Sequence, residues 1–254
     1  MLSKVCDTLG MAERTAASIR ARVRAEMTDE IKAVARRHLA EDGANLSLRA
    51  VAREVGMVSS AVYRYFPSRD DLLTALIIDA YNSMGEAGEA ADAAVSDRSD
   101  LLGRWMAVTR ALRAWAVARP SEYSLLYGSP VPGYAAPEDT VGPATRPVVV
   151  MGAILSDAHA SGALDEPSGA ANAGSAASAS GRVPSKLRAE LRRAADLIAA
   201  GVSETVAARA MIAWTEVFGA ISFDLFGRLN NVIDEREAWF DHQMRAMAAF
   251  IGIA

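Results

Sequence analysis

The chain has 254 residues, 51% of them apolar and 23% charged, with a net charge of −4. That is ample material for a buried core and excludes a wholly disordered chain. One cysteine, Cys6, excludes an intramolecular disulfide and a four-cysteine zinc site, and three scattered histidines (His38, His159, His242) argue against a metal centre. No apolar run approaches the ~18 residues of a membrane span, and the N-terminus lacks the apolar core of a signal peptide. The expectation is a cytoplasmic protein with no membrane association, no metal and no cofactor. The charge is unevenly spread. Residues 1–69 carry 12 Lys and Arg against 8 Asp and Glu, and residues 70–254 carry 15 against 23. A basic front on an acidic body implies one part that meets phosphate and one that does not.

Residues 1–27 read as a flexible basic arm, with Arg14, Arg20, Arg22 and Arg24. Thr28 or Asp29 then looks like the N-cap of a helix ending at Gly43, with Ile31, Val34, Ala35 and Leu39 as its apolar stripe. Ser47 caps a second helix, in which Leu48, Val51, Ala52 and Val55 share one face, and Gly56 stops it. A short third helix covers about Ser59–Tyr65, closed by Phe66-Pro67. Ser68, Asp70 and Asp71 open a fourth, about Arg69–Ala93, with acids in the first turn as the macrodipole prefers.

Beyond Asp97, helical patterns alternate with breaks. A helix is expected over 99–118, and Pro120 starts a short piece, Glu122–Tyr127. Residues 128–143 hold four Pro and three Gly and read as a loop. Residues 145–161 read as a buried helix, although Val148–Val150 also suit a strand. Residues 163–183 lack an apolar period and read as a disordered linker. Helices follow over about 185–200, 203–229 and 234–252. No strand pair of usable length appears, so the class is all-α. The divisions are the arm 1–27, a three-helix domain 28–74, and a larger helical domain 75–254 reached through the fourth helix.

The informative stretch is Ser47–Leu73. Two helices joined across a short Gly turn form a helix-turn-helix. Ala52 allows close crossing, Gly56 tolerates φ > 0, and Val62 buries against the first helix with Val51 and Val55. The opposite face of the second helix carries Ser59, Ser60, Tyr63 and Arg64, groups able to donate to phosphates and base edges. This run resembles the DNA-binding region of the tetracycline-repressor (TetR) family of bacterial regulators, through Ala52, Gly56, Tyr63-Arg64-Tyr65-Phe66, Arg69 and Leu72-Leu73. The resemblance implies that Ser47 and Arg49 lie near phosphate or a base, that Ser59, Ser60, Tyr63 and Arg64 enter the groove, and that Tyr65 and Arg69 grip the backbone. One departure is Val58, where the family has a capping Ser or Thr. Either Ser59 caps instead or the end is uncapped, at ~1 kcal/mol. The arm arginines are open between minor-groove or phosphate contact and plain solvation. Further on, Trp214–Gly219 resembles the Trp-His-Gly signature of one C-terminal subgroup, with Phe218 in place of the His.

Two reading heads on duplex DNA require two-fold symmetry and half-sites ~34–36 Å apart, hence a homodimer. The expected dimer surface is built from Ala210, Ala213, Trp214, Val217 and Ile221 on one helix and Phe240, Met244 and Met247 on the last. Trp105, Trp115, Tyr123, Tyr127, Met151, Ile154 and Leu155 are candidate linings of a pocket for a small apolar ligand, and equally suit a packed core. The expected function is a non-enzymatic DNA-binding transcriptional regulator, a repressor released by that ligand. A helical protein–protein module without sequence-specific DNA binding, and a regulator without a ligand, are the alternatives the residues leave open.

Overall fold

Ten α-helices and no strand occur among the described residues, which in the computed structural model are 2–42, 46–165 and 183–253, with side chains from residue 18. The expected helix end at Gly43, residues 166–182 of the expected linker, and the side chains of Cys6 and Arg14 lie outside them. The chain divides into two units: Met1–Leu76 with Val131–Tyr134, and Ile77–Pro130 with Ala135–Ala254.

In the first unit, α1 (Leu2–Asp42) is one helix of 41 residues. The flexible arm expected over 1–27 is corrected to the front of this helix. Residues 11–27 are mostly strong helix formers with neither Gly nor Pro. Thr28 is interior rather than an N-cap, and its hydroxyl donates back to the Arg24 carbonyl at 2.8 Å. Ser47 caps α2 (Leu48–Glu54), accepting the Ala50 N–H. The short α3 (Ser59–Val62) follows the Gly56 turn. Ser68 accepts the Asp71 N–H at 3.1 Å and donates to its carboxylate at 2.6 Å, which fixes the start of α4 (Arg69–Ala94). Ile31, Val34 and Ala35 of α1, Val51 and Ala52 of α2, Val62, Phe66, Leu72 and Leu73 are all buried. Arg37 and His38 of α1 both bond the Glu54 carboxylate of α2, with Nη2 of Arg37 at 2.7 Å and Nε2 of His38 at 2.6 Å.

α4 begins in the first unit and ends in the second, which adds α5 (Leu101–Ala118), α6 (Pro120–Tyr127), α7 (Val141–Ala160), α8 (Ser185–Ile198), α9 (Glu204–Leu225) and α10 (Arg236–Ile251). The loop expected to reach residue 143 ends earlier, at a 3-10 turn over Glu138–Thr140. Pro143 falls in the first turn of α7, where a missing N–H costs nothing. Val148–Val150 are helical, and Val150, Met151, Ile154, Leu155 and Ala158 are buried on one helical face.

α9 is long and apolar enough by length and composition to cross a membrane, contrary to the expectation that no segment reaches that mark. Its apolar character serves packing, because it lies against α5, α6, α8 and α10 at once. For the same reason the expected dimer residues need correction. Ala213, Val217, Ile221, Phe240 and Met244 are buried in the chain's own core, and Ala210, Trp214 and Met247 pack against it. The outward stripe of α9 is different: Ile212, Phe223 and Phe226 are exposed, and beside them Gly219 has open space where a side chain would be.

Arg104 of α5 is buried and saturated. It bonds Asp92 at 2.8 Å and Asp157 at 2.7 Å, and its Nη1 also donates to the Arg98 carbonyl. This joins the end of α4, α5 and α7. Burial alone would raise the Asp92 pKa, but hydrogen bonds from Arg104 and Arg98 outweigh it and hold the carboxyl below its ordinary 3.8. A depressed carboxylate stabilises the fold above its unfolded value, and that contribution is lost as pH falls through the folded value. Asp92→Asn is therefore expected to cost about 2 kcal/mol at pH 7 and to flatten the decline in stability below pH ~4. Urea unfolding followed across pH checks both.

Candidate functional site

The corner that presents the recognition helix is built by backbone hydrogen bonds. Val55 ends α2, and Gly56 takes φ +77, which a side chain would resist. The Gly56 N–H reaches the Arg53 carbonyl at 3.2 Å, and the Met57 N–H reaches Ala52 at 2.8 Å. This is the Schellman pairing that satisfies the last carbonyls of a helix. The chain then restarts at Ser59. Of the two possibilities for the helix start, the structure takes the uncapped one: Val58 is the N-cap residue, extended and without a side-chain bond. Its side chain is 70% exposed.

Ser47, Arg49, Ser59, Ser60, Tyr63 and Arg64 are all exposed, Tyr63 to 43%. The side chains of Arg49, Ser59, Ser60, Tyr63 and Arg64 have no hydrogen-bond partner among the described residues, so their donors are available. Tyr65 and Arg69 are placed differently. Tyr65 is half-buried beneath Arg24, whose guanidinium carbon lies 5.0 Å from the ring centroid. Arg24 Nη2 also donates to the Arg64 carbonyl at 2.8 Å. Arg69 Nε donates to the Leu46 carbonyl at 3.2 Å, tying α4 to the segment before α2. The sequence left Arg24 open between DNA contact and solvation, and the contacts it makes here, to Tyr65 and to the Arg64 carbonyl, are neither. The spacing of 40 residues between Arg24 and Arg64 carries no local signal, and only the packing of α1 reveals it.

The second unit holds an apolar cavity among α5, α7, α8, α9 and α10. Its space is small, about 40 Å³. Of the seven expected lining residues, Trp105 and Met151 line it, together with Met211, Trp214 and a run of alanines including Ala195 and Ala210. The other five belong to the core. Trp115 donates its indole N–H to Ser83. Tyr123 donates to the Phe218 carbonyl at 2.9 Å, and burial pushes its phenol up to about 12. Tyr127 stacks on Phe218 at 4.4 Å, with its phenol also raised by burial. Ile154 and Leu155 are buried in the same cluster. Their size suited either role, and their neighbours decided for packing.

Residues 31–76 match the family described as bacterial regulatory proteins, tetR family, and residues 105–247 match the tetracyclin repressor-like C-terminal domain. HTH-type transcriptional regulators of Mycobacterium tuberculosis and Mycobacterium bovis are 37% identical to the chain over 252 residues, spanning 97% of it and 99% of each relative. The chain belongs to the tetR family. The crystal structure of the regulatory protein SCO4313 superposes with a TM-score of 0.67 at 29% identity, covering 90% of this chain and 98% of that one. A Rhodococcus sp. RHA1 protein of unknown function shares the fold, with a TM-score of 0.61 at 20% identity, over 88% of this chain and 93% of its own. The tetR-family protein is thus a DNA-binding transcription regulator with an N-terminal helix-turn-helix and a larger helical C-terminal domain.

In this regulator Arg24 has two possible effects on DNA binding that salt separates. If it positions α3 through Arg64 and Tyr65, Arg24→Ala lowers duplex affinity about tenfold, the value of one hydrogen bond plus a cation–π contact. The slope of log affinity against log salt stays unchanged. A direct phosphate contact would instead reduce that slope by about 0.9. Titration across salt concentrations reads the difference, and the unchanged slope is expected.

Proposed function

We propose that this regulator is a repressor that binds a palindromic duplex site as a homodimer and is released by a small apolar ligand, acting in the cytoplasm. The observation that carries the reading is the face of α3. Ser59, Ser60, Tyr63 and Arg64 offer unsatisfied donors on a rigid glycine corner, and α-helices of this width enter the major groove. On this reading those four residues approach base edges and the flanking phosphates. Ser47 and Arg49, at the start of α2, approach the backbone. Tyr65 and Arg69 grip the backbone, steadied by Arg24 over the Tyr65 ring and by the bond from Arg69 to the Leu46 carbonyl.

The dimer reading rests on the outward stripe of α9. Phe223, 55% exposed, stands with Ile212 and Phe226 on one side of a long helix. Gly219 leaves room for a close approach in their midst. A second copy meeting this stripe buries three large apolar side chains on each side, a gain of roughly 1.5–3 kcal/mol for each one fully covered. The ligand reading rests on the cavity of the second unit. A ligand releases DNA only through a difference in its affinity for the bound and released forms, about 5 kcal/mol for a near-complete switch. Its route is a change in the separation of the two reading heads, and α4 is the helix common to both units.

Two measurements test the reading. Arg64→Ala and Tyr63→Ala are each expected to weaken specific binding by about 1–3 kcal/mol in a footprinting titration upstream of the protein's own gene. An equal loss on random duplex would remove them from base recognition. Phe223→Glu is expected to convert the dimer to monomer in sedimentation equilibrium, weakening palindrome binding on the order of tenfold or more. A variant that remains dimeric would move the interface elsewhere.

A further inference from the structure

The two helices of the glycine corner start differently. Before α2 stands Ser47, whose hydroxyl accepts the Ala50 N–H. Before α3 stands Val58, extended, with no side-chain bond to the turn that follows. A serine, threonine, asparagine or aspartate there would secure the first turn. Valine forgoes that bond, and at 70% exposure it gains nothing from the core in exchange. Val62, in the same short helix, is by contrast wholly buried.

The company Val58 keeps on the surface gives it a use. Between Gly56 and Pro67, among the described residues, the exposed side chains are those of Val58, Ser59, Ser60, Tyr63 and Arg64. Four of these carry hydrogen-bond donors, and Val58 alone is aliphatic. In helix-turn-helix proteins the leading residues of the second helix are the ones that meet base edges. Those edges present donors and acceptors at every base pair and a single apolar group, the C5-methyl of thymine. Serine and arginine donors have nothing to bond there, whereas a valine can pack on it and exclude water from both. We infer that Val58 is a specificity-determining residue, packing on the C5-methyl of one thymine in each half-site and so selecting thymine at that position. The inference rests on the reading of α3 as the helix that enters the groove, and it adds an apolar contact to the polar ones.

The test uses the whole protein and the duplex that it protects in a footprint. Each thymine in turn is replaced by deoxyuridine, which removes the methyl and leaves every hydrogen-bonding atom in place. At one thymine of a half-site the exchange is expected to weaken binding about fourfold, the effect of one carbon no longer buried. In Val58→Ser the thymine and uracil duplexes become equivalent within about twofold, because the packing partner is gone. The same variant gains the missing cap, and its midpoint of thermal unfolding is expected to rise by about 2–4 °C. Lost discrimination in a more stable protein is a readout that a merely structural role would not give. Val58→Ala, which adds no hydroxyl, is expected to lose the discrimination as well. The quantity read is a ratio of two affinities, so a serine hydroxyl that reaches a phosphate alters both alike.

Unchanged affinity on exchange of every thymine by the unaltered protein would overturn the inference, without any variant having to fold. So would a thymine preference that survives both Val58→Ser and Val58→Ala, or a protected duplex with no thymine in its half-sites. In each case the reading of α3 stands as long as Arg64→Ala and Tyr63→Ala still weaken specific binding. Protection of no duplex at all overturns the inference together with that reading.

Discussion

A helix of four residues has no stability of its own in water, since nucleation costs more than a single turn returns. Yet the chain presents Ser59–Val62 as a helix. It holds because it is pinned from three directions. Val62 is wholly buried against Val51 and Ala52, the Gly56 corner fixes its entry, and Arg24 of α1 takes the carbonyl of Arg64 just beyond its end. Every donor aimed outward from this turn owes its direction to those anchors. The missing cap at Val58 is tolerable in that setting, because tertiary contacts supply what local hydrogen bonding does not.

The second unit solves a different problem. It uses charge to register its helices. Arg104 is buried with carboxylates from α4 and α7. Arg113 of α5 bonds Asp224 of α9 at 2.8 Å, and Arg146 of α7 bonds Glu89 of α4. Such pairs add little net stability over apolar substitutes, but a wrong register would strand the buried charge of Arg104. Against that stiff frame, the alanine- and methionine-lined space beside α8 stands out as the part left unfilled. Gly152 of α7 lets the Ile198 carbonyl approach so closely that any Cβ would collide with it, which seats the end of α8 there.

Much of the reading head was legible in advance because its signals are local. The cap at Ser47, the glycine at 56, the i, i+3, i+4 spacing of Leu48, Val51 and Ala52, and the acids opening α4 each act within one or two turns. The order and type of the later helices were legible for the same reason. The front of α1 was not. Arginines and alanines suit both a solvated arm and a continuous helix, and nothing between residues 11 and 27 marks a boundary. The start of α7 was missed because prolines signal a loop by composition, while one in the first helical turn is harmless.

Amino-acid order by itself determined where most of the helices lie, and that a glycine corner displays Ser59, Ser60, Tyr63 and Arg64. Only the tertiary structure decided how the apolar sides are shared. α9 has too many apolar faces for a pattern to assign, so Val217 and Ile221 went to the core while Ile212 and Phe223 were left outside. Likewise Trp105 and Trp214 are alike in sequence, and one is satisfied by a carbonyl 139 residues away while the other is not. Periodicity reports a residue's direction from its own helix axis. What waits in that direction depends on distant segments, and that is settled when they pack.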